Sequence, residues 1–242
     1  MVNCHSLAFC IGAIVAYIWT YYRFPEKYRE HVDGLAVWMT LAGILGARLL
    51  YCAIYWKTLT SAAHIFMFWE GGLVSYGGFV AAVLAWVIYI RVHGLPLAEC
   101  CDALGPAGLL GWGIGRIGCF LNWYGECGIP TELPWGFIVD GDVPRHPVML
   151  YLAVGHIIMA FVSLRLARRY HLNAAGTALC AFGGVRLLLD FTRQYAYPWL
   201  NWGSAAISLI FFIAGIAIML KLPAPEAASA TNAPATDGDS AS

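Results

Sequence analysis

The sequence predicts an all-α, polytopic membrane protein of about seven transmembrane helices, with the N-terminus outside and the C-terminus in the cytoplasm. Three observations carry this. The 242 residues are 60% hydrophobic and only 12% charged, against about 25% charged in ordinary soluble domains, and the mean hydropathy is +0.68. The apolar residues come in long runs rather than in alternation, and seven runs reach or approach the roughly 20 residues that a span needs. The cations between those runs collect on one side.

Taken in order, the runs are about 4–22, 34–56, 72–91, 102–122, 147–165, 175–192 and 202–220. The first lacks the basic start and the small-residue cleavage site of a signal peptide, so it reads as a span. The sixth carries Arg186 and Asp190 inside it. Short polar loops join the runs, apart from one long loop at 123–146. Residues 1–221 therefore read as a transmembrane domain with one outer loop. The tail at 222–242 is rich in Ala, Pro, Ser and Thr and reads as disordered and cytoplasmic.

With seven helices, Arg23, Lys27, Arg29, Arg91, Arg165, Arg168, Arg169 and Lys221 fall on one side, and only Lys57, Arg145 and Arg193 on the other. The positive-inside rule assigns the first group to the cytoplasm. The formal net charge is zero, which gives no electrostatic case for nucleic acid. Eight cysteines, at 4, 10, 52, 100, 101, 119, 127 and 180, lie mostly within apolar runs without paired metal-binding spacing. They read as small hydrophobes, with redox roles open for those near segment ends. No metal site and no cofactor is expected.

Arg48, Arg116 and Arg186 remain, all inside spans. Placing a guanidinium in hydrocarbon costs at least roughly 2.5–3.5 kcal/mol, so such a residue faces a polar cavity or a partner. Arg116 sits within Gly111-Trp-Gly-Ile-Gly-Arg116-Ile-Gly-Cys-Phe-Leu-Asn122, where Gly111, Gly115 and Gly118 let a neighbouring helix approach closely. It lies about 9 Å from Asn122 along a helix rising ~1.5 Å per residue, and the topology puts all three arginines at a similar depth in the outer leaflet. Like charges at one depth repel unless an anion, water or carboxylates intervene. Asp190 can neutralise Arg186 as an i, i+4 partner; the other two are expected to lack one, which favours an anionic ligand. Two readings stand for Arg116, structural pairing with a helix carboxylate or an anion clamp for an acidic head group.

Two further stretches reach that depth. In Trp69-Glu-Gly-Gly-Leu-Val-Ser-Tyr76-Gly-Gly78, the glycine pairs on either side of Ser75-Tyr76 suggest an interrupted helix start whose N–H groups suit an anion, or else close helix packing. The loop at 123–146 reads as a solvated outer cap. Its end, Arg145-His146, falls where a head group would protrude.

Five motifs, Gly46-Ala-Arg-Leu-Leu-Tyr51, Trp69 to Gly78, Gly115-Arg-Ile-Gly-Cys-Phe-Leu-Asn122, Arg145-His-Pro-Val-Met-Leu-Tyr151 and Gly184-Val-Arg-Leu-Leu-Leu-Asp190, follow the order found in bacterial prolipoprotein diacylglyceryl transferases. The chain resembles that family over roughly residues 34–193. The resemblance implies a transferase of the bacterial inner membrane that moves the diacylglyceryl group of phosphatidylglycerol, a membrane lipid, to the lipobox cysteine of a prolipoprotein signal peptide. It implies that Arg116 and Arg186 hold the phosphate and that Tyr76 is catalytic. Arg48, Gly71, Gly72, Gly77, Gly78, Asn122, Glu126, Arg145, His146, Tyr151 and Asp190 are then expected to bind substrate.

The chain departs from the pattern at several points. Tyr76 stands where many relatives carry histidine. Cys119 and Phe182 replace an asparagine and a tyrosine, Leu152 stands where an acid is frequent, and the first helix opens His5-Ser-Leu-Ala-Phe9 instead of with an aromatic-Tyr-Gly start. A phospholipid-dependent transferase with another acceptor and a non-catalytic lipid-binding or lipid-moving protein are the competing readings.

Overall fold

The computed structural model describes residues 4–56, 65–67, 72–122, 128–138, 143–194, 198–222 and 224, without the side chains of 75, 76 and 198–201. Gly71, Glu126, much of the outer loop and the tail from 225 lie outside the described residues. Among those described, the secondary structure is helical. The elements are α1 (Cys4–Arg23), a 3-10 turn at Glu26–Tyr28, α2 (His31–Ile54), α3 (Ser75–Val92), α4 (Leu97–Asn122), α5 (Val148–Tyr170), α6 (Ala174–Asp190) and α7 (Pro198–Lys221). Extended pairing is confined to isolated bridges such as Gly128 with Arg193 and Phe137 with Arg145.

Among the described residues, α1, α2, α4, α5 and the Trp202–Lys221 part of α7 are long and apolar enough to cross a membrane, and the apolar stretch of α3, Gly77–Val92, is shorter. α6 has 17 residues, about 25 Å at ~1.5 Å per residue. The chain is thus a multi-pass membrane protein. Many large apolar side chains, among them Ile14, Phe161, Ile210 and Leu220, are exposed, as lipid-facing residues should be.

The chain forms two compact units, residues 1–23 with 98–242, and residues 24–97. In the first, α1 lies against α4 along the glycines singled out in the sequence. A Cβ on Gly111 would stand 2.7 Å from the Gly12 carbonyl oxygen, one on Gly115 2.8 Å from the Phe9 ring, and one on Gly118 2.5 Å from Ala8 Cβ and 3.0 Å from His5 Cα. Gly113 brings α4 equally close to α5 at Ala153 and Ile157, and Gly183 brings α6 against α7 at Ser208 and Phe212. Leu109, Leu110, Ala160, Ala178 and Ala181 form the buried centre between them.

α4 begins five residues before the expected 102 and continues through Pro106. A proline inside a helix removes one backbone hydrogen bond and clashes with the preceding turn, and Glu99 and Asp102 look like loop residues in an apolar run. The fold accommodates both: Pro106 is buried in the unit, and Asp102 pairs with Arg23 at 3.2 Å while accepting a 2.8 Å hydrogen bond from the Ala174 N–H. α5 stops at His171, whose left-handed φ of 52° closes the helix. Asn173 then caps α6 by accepting from the Ala175 N–H at 3.0 Å.

In the second unit α2 and α3 pack as a pair. Gly46 meets Gly77 and Ala81, and Gly78 meets Gly43 and Ala47. A methyl group on Gly77 would stand 2.4 Å from the Gly46 carbonyl oxygen. Gly77 and Gly78 are therefore glycines because backbone meets backbone there.

Candidate active site

In the first unit, Arg116, Met149 and Arg186 lie at the C-terminal end of α4, the start of α5 and the C-terminal end of α6. Arg116 lies over the Trp112 ring at 4.8 Å from the centroid, and Arg186 over the Phe182 ring at 5.8 Å. The two rings pack edge-on at 6.0 Å, so the guanidiniums rest on adjoining aromatic platforms. Stacking uses the face of a guanidinium, and its N–H donors lie in the plane of the fork. One Arg116 nitrogen donates to Met149 Sδ at 3.5 Å and approaches Cys119 Sγ at 4.0 Å. Arg186 donates to Ser204 Oγ at 3.3 Å.

Ser204 Oγ in turn donates to Asp190 Oδ1 at 3.2 Å, and Asp190 pairs with Arg193 at 3.8 Å. The i, i+4 pairing expected between Arg186 and Asp190 is thus relayed through a hydroxyl of α7, and the carboxylate is shared with a cation one turn away. The expectation that Arg48 lacks a protein partner is overturned. Arg48 is buried in the second unit, where it donates to the Gly72 carbonyl at 3.2 Å and the Ile65 carbonyl at 3.4 Å and lies 5.3 Å from the Tyr51 ring. Gly72 has φ +76°, and a Cβ there would stand 2.5 Å from the Tyr51 ring. Only glycine suits that backbone and that contact.

His146, Tyr151 and Trp135 form a small cluster on the side of the outer loop. The Trp135 indole donates to the Tyr151 hydroxyl at 2.7 Å, and His146 Nδ1 lies 3.3 Å from the same oxygen. Arg145 donates to the Gly128 carbonyl at 3.2 Å and to the Gln194 side chain, tying the loop to the segment after α6. Asn122 is the last residue of α4 and half-buried. Tyr76 stands in the first turn of α3.

Two histidines were not among the site residues expected from the sequence. His156, fully buried on α5, donates Nδ1–H to the Leu152 carbonyl at 2.6 Å, lies 5.0 Å from the Phe182 ring and feels the charges of both Arg116 and Arg186. A single histidine in an apolar run carries no sequence signal beyond its presence. His5, in the first turn of α1, sits 3.4 Å through Nδ1 from Cys119 Sγ. The departures from the family pattern have packing counterparts: Cys119 and Leu152 join Val148 and Met149 in one buried apolar cluster. Phe182 is the ring beneath Arg186.

Two forked cations on aromatic faces, beside two sulfurs and a hydroxyl, suit a phosphate. Each fork can grip two oxygens, and the apolar surround strengthens the attraction. Among the described residues no group of three or more His, Cys, Asp or Glu side chains comes together as a metal site would require.

The family model described as prolipoprotein diacylglyceryl transferase matches residues 1–221. The chain is 34% identical to a protein of Cupriavidus pinatubonensis, covering 85% of this chain and 79% of that one. It is 33% identical to one of Wolbachia pipientis, covering 81% of each, and 30% identical to one of Methylococcus capsulatus, covering 90% of each. All three are named phosphatidylglycerol–prolipoprotein diacylglyceryl transferase. The match runs through every element that builds the site, and the chain belongs to the prolipoprotein diacylglyceryl transferase family.

Proposed function

We propose that this protein transfers the diacylglyceryl group of phosphatidylglycerol to the lipobox cysteine thiol of prolipoproteins. The reaction takes place at the outer leaflet of the bacterial cytoplasmic membrane, which the chain crosses seven times with its N-terminus outside. The observation that carries this reading is the pair of guanidiniums of Arg116 and Arg186 on the touching rings of Trp112 and Phe182, together with the names of the relatives.

The chemistry is a displacement at the glyceryl carbon bearing the phosphate. The acceptor sulfur forms the new C–S bond, and the C–O bond breaks with its electron pair on the phosphate oxygen. Arg116 and Arg186 grip the phosphate and stabilise the charge that collects on it as it leaves, a contribution that preorganised donors in a dry site make well. Asp190, through Ser204, fixes the position of Arg186. Asn122, Arg145, His146, Tyr151 and, in the outer loop, Glu126 bind the parts of the substrates that protrude outward. The family resemblance also assigns Tyr76 a catalytic hydroxyl and assigns Arg48, Gly71, Gly72, Gly77 and Gly78 to substrate binding. Holding both substrates in attack geometry supplies much of the remaining rate.

The test is transfer from labelled phosphatidylglycerol to a synthetic lipobox peptide by purified protein, beside rescue of lipoprotein modification in a bacterium depleted of its own transferase. Both should succeed. Thioether formation absent from both would overturn the reading. In the same assay Tyr76→Phe should lower turnover about tenfold, the value of one lost hydrogen bond of ~1–1.5 kcal/mol, and Tyr76→His should stay within reach of wild type.

A further inference from the structure

The proposed transfer needs a group that takes the proton from the acceptor thiol. Near neutral pH a phenol with its ordinary pKa near 10 is deprotonated in only about 0.3% of molecules at pH 7.5, whereas an imidazole near 6.5 is the free base in about 90%. A tyrosine hydroxyl is therefore the poorer acceptor by more than two orders of magnitude, and an imidazole near the clamp is the group to look for.

The first unit has four imidazoles, and His171 closes the end of α5 away from the clamp, which leaves three. His156 is fully buried, so an incoming thiol does not reach it. His146 lies on Tyr151, which already receives the Trp135 indole N–H. His5 differs from both. It is half-buried in the opening turn of α1, and its ring lies against Phe9 at 4.8 Å, with Nδ1 3.4 Å from Cys119 Sγ. Cys119 is the same sulfur that the Arg116 guanidinium approaches at 4.0 Å, and the Arg116 charge acts on the His5 ring. The backbone enforces the placement. Gly118 has no side chain, and a Cβ there would stand 3.0 Å from His5 Cα and 2.9 Å from the Cys4 carbonyl oxygen. The first turn of α1 is thereby seated on the turn of α4 that carries Arg116.

We infer that His5 is the general base of the transfer, held beside the phosphate clamp by its contact with Cys119. This rests on the diacylglyceryl transfer proposed above. His5 donates Nδ1–H to the Cys119 sulfur, which fixes the tautomer that presents a lone pair on Nε2. The acceptor S–H proton passes to Nε2 as the sulfur attacks the glyceryl carbon, and the C–O electron pair leaves with the phosphate held by Arg116 and Arg186. The imidazolium then gives its proton to the released glycerol phosphate or to water. The charged group acting on the ring is Arg116 from α4, with the Cys119 thiol beside it; from α5, Met149 Sδ accepts from Arg116.

The experiment is the pH–rate profile of transfer from phosphatidylglycerol to a lipobox peptide, for the wild type, His5→Gln and His5→Ala, the last with and without added imidazole. The wild type should show an ascending limb of kcat that both variants lose. Their kcat should fall by about 10²–10⁴-fold, the range of a general-base contribution, with KM for phosphatidylglycerol unchanged. Free imidazole should restore part of the His5→Ala rate, more so as pH rises. An ascending limb kept in His5→Gln, or a lower rate that imidazole does not restore while KM rises, assigns His5 to packing alone and overturns the inference. A wild type that forms no thioether overturns it together with the transferase reading, and is told apart by that blank.

Discussion

Two ends of the same helix bundle handle arginine in opposite ways. Near the start of α4, Arg23 meets Asp102 at 3.2 Å, and the other carboxylate oxygen takes the Ala174 N–H. Asn173 alongside donates to the Ala98 carbonyl and caps α6. Cation, anion and helix end pair with one another there. About 21 Å further along α4, at ~1.5 Å per residue, Arg116 and Arg186 rest on rings, sulfurs and one hydroxyl, and the carboxylate nearby is shared with Arg193. Rings and sulfurs hold a guanidinium in place without cancelling its charge. The first arrangement ties α1, α4 and α6 together; the second is the one that the function proposed above assigns to holding an anion. Second-unit Arg48 follows a third course, spending its donors on the carbonyls of its own segment.

The contrast can be broken by substitution, and the largest effect should come from the clamp. Arg116→Lys or Arg186→Lys keeps the charge but loses the fork and the stacking. Each should lower kcat for transfer by about 10²–10³-fold, the value of one transition-state donor, with normal membrane insertion; wild-type rates in both would remove the clamp. Next comes the seat of α1. Gly118→Ala forces a methyl group into the first turn of α1, and overpacking of this kind costs about 1–3 kcal/mol. The expected result is a lower melting temperature together with loss of the ascending pH limb, because His5 is displaced. At the opposite end the effects should be on stability alone. Asp102→Ala removes a charged hydrogen bond worth about 1.5–3 kcal/mol and leaves Arg23 in a half-buried site. The melting temperature should fall while kcat below it stays at the wild-type value. Asn173→Ala removes a helix cap, worth about 1 kcal/mol, and should give the smallest shift.

Much of this was legible in the sequence where the signal was a long apolar run: α1, α5 and α7 fall within a few residues of expectation. The start of α4 was not, because the stretch before residue 102, with its acid Glu99, reads as a loop. α6, with two ionisable residues and 17 positions, sits at the margin that its composition foretold. Gly111, Gly115 and Gly118 announced a close neighbour, yet nothing in their spacing could say that it is α1. For that reason His5 stood in the sequence only as a departure from a pattern, and its contact with Cys119 required the fold. Arg48 misled because its partners are carbonyls of a non-helical stretch, and backbone acceptors leave no trace in residue types.

The most direct test of the central claim is a count of phosphatidylglycerol molecules retained by the purified protein, read by native mass spectrometry. The preparations to compare are the wild type, the Arg116→Ala, Arg186→Ala double variant and Asp102→Ala, each released from vesicles of phosphatidylglycerol mixed with phosphatidylcholine. The wild type and Asp102→Ala should retain phosphatidylglycerol in preference to phosphatidylcholine, and the double variant should show no preference. Equal retention of phosphatidylglycerol by all three would contradict the assignment of the arginine pair as the anion site.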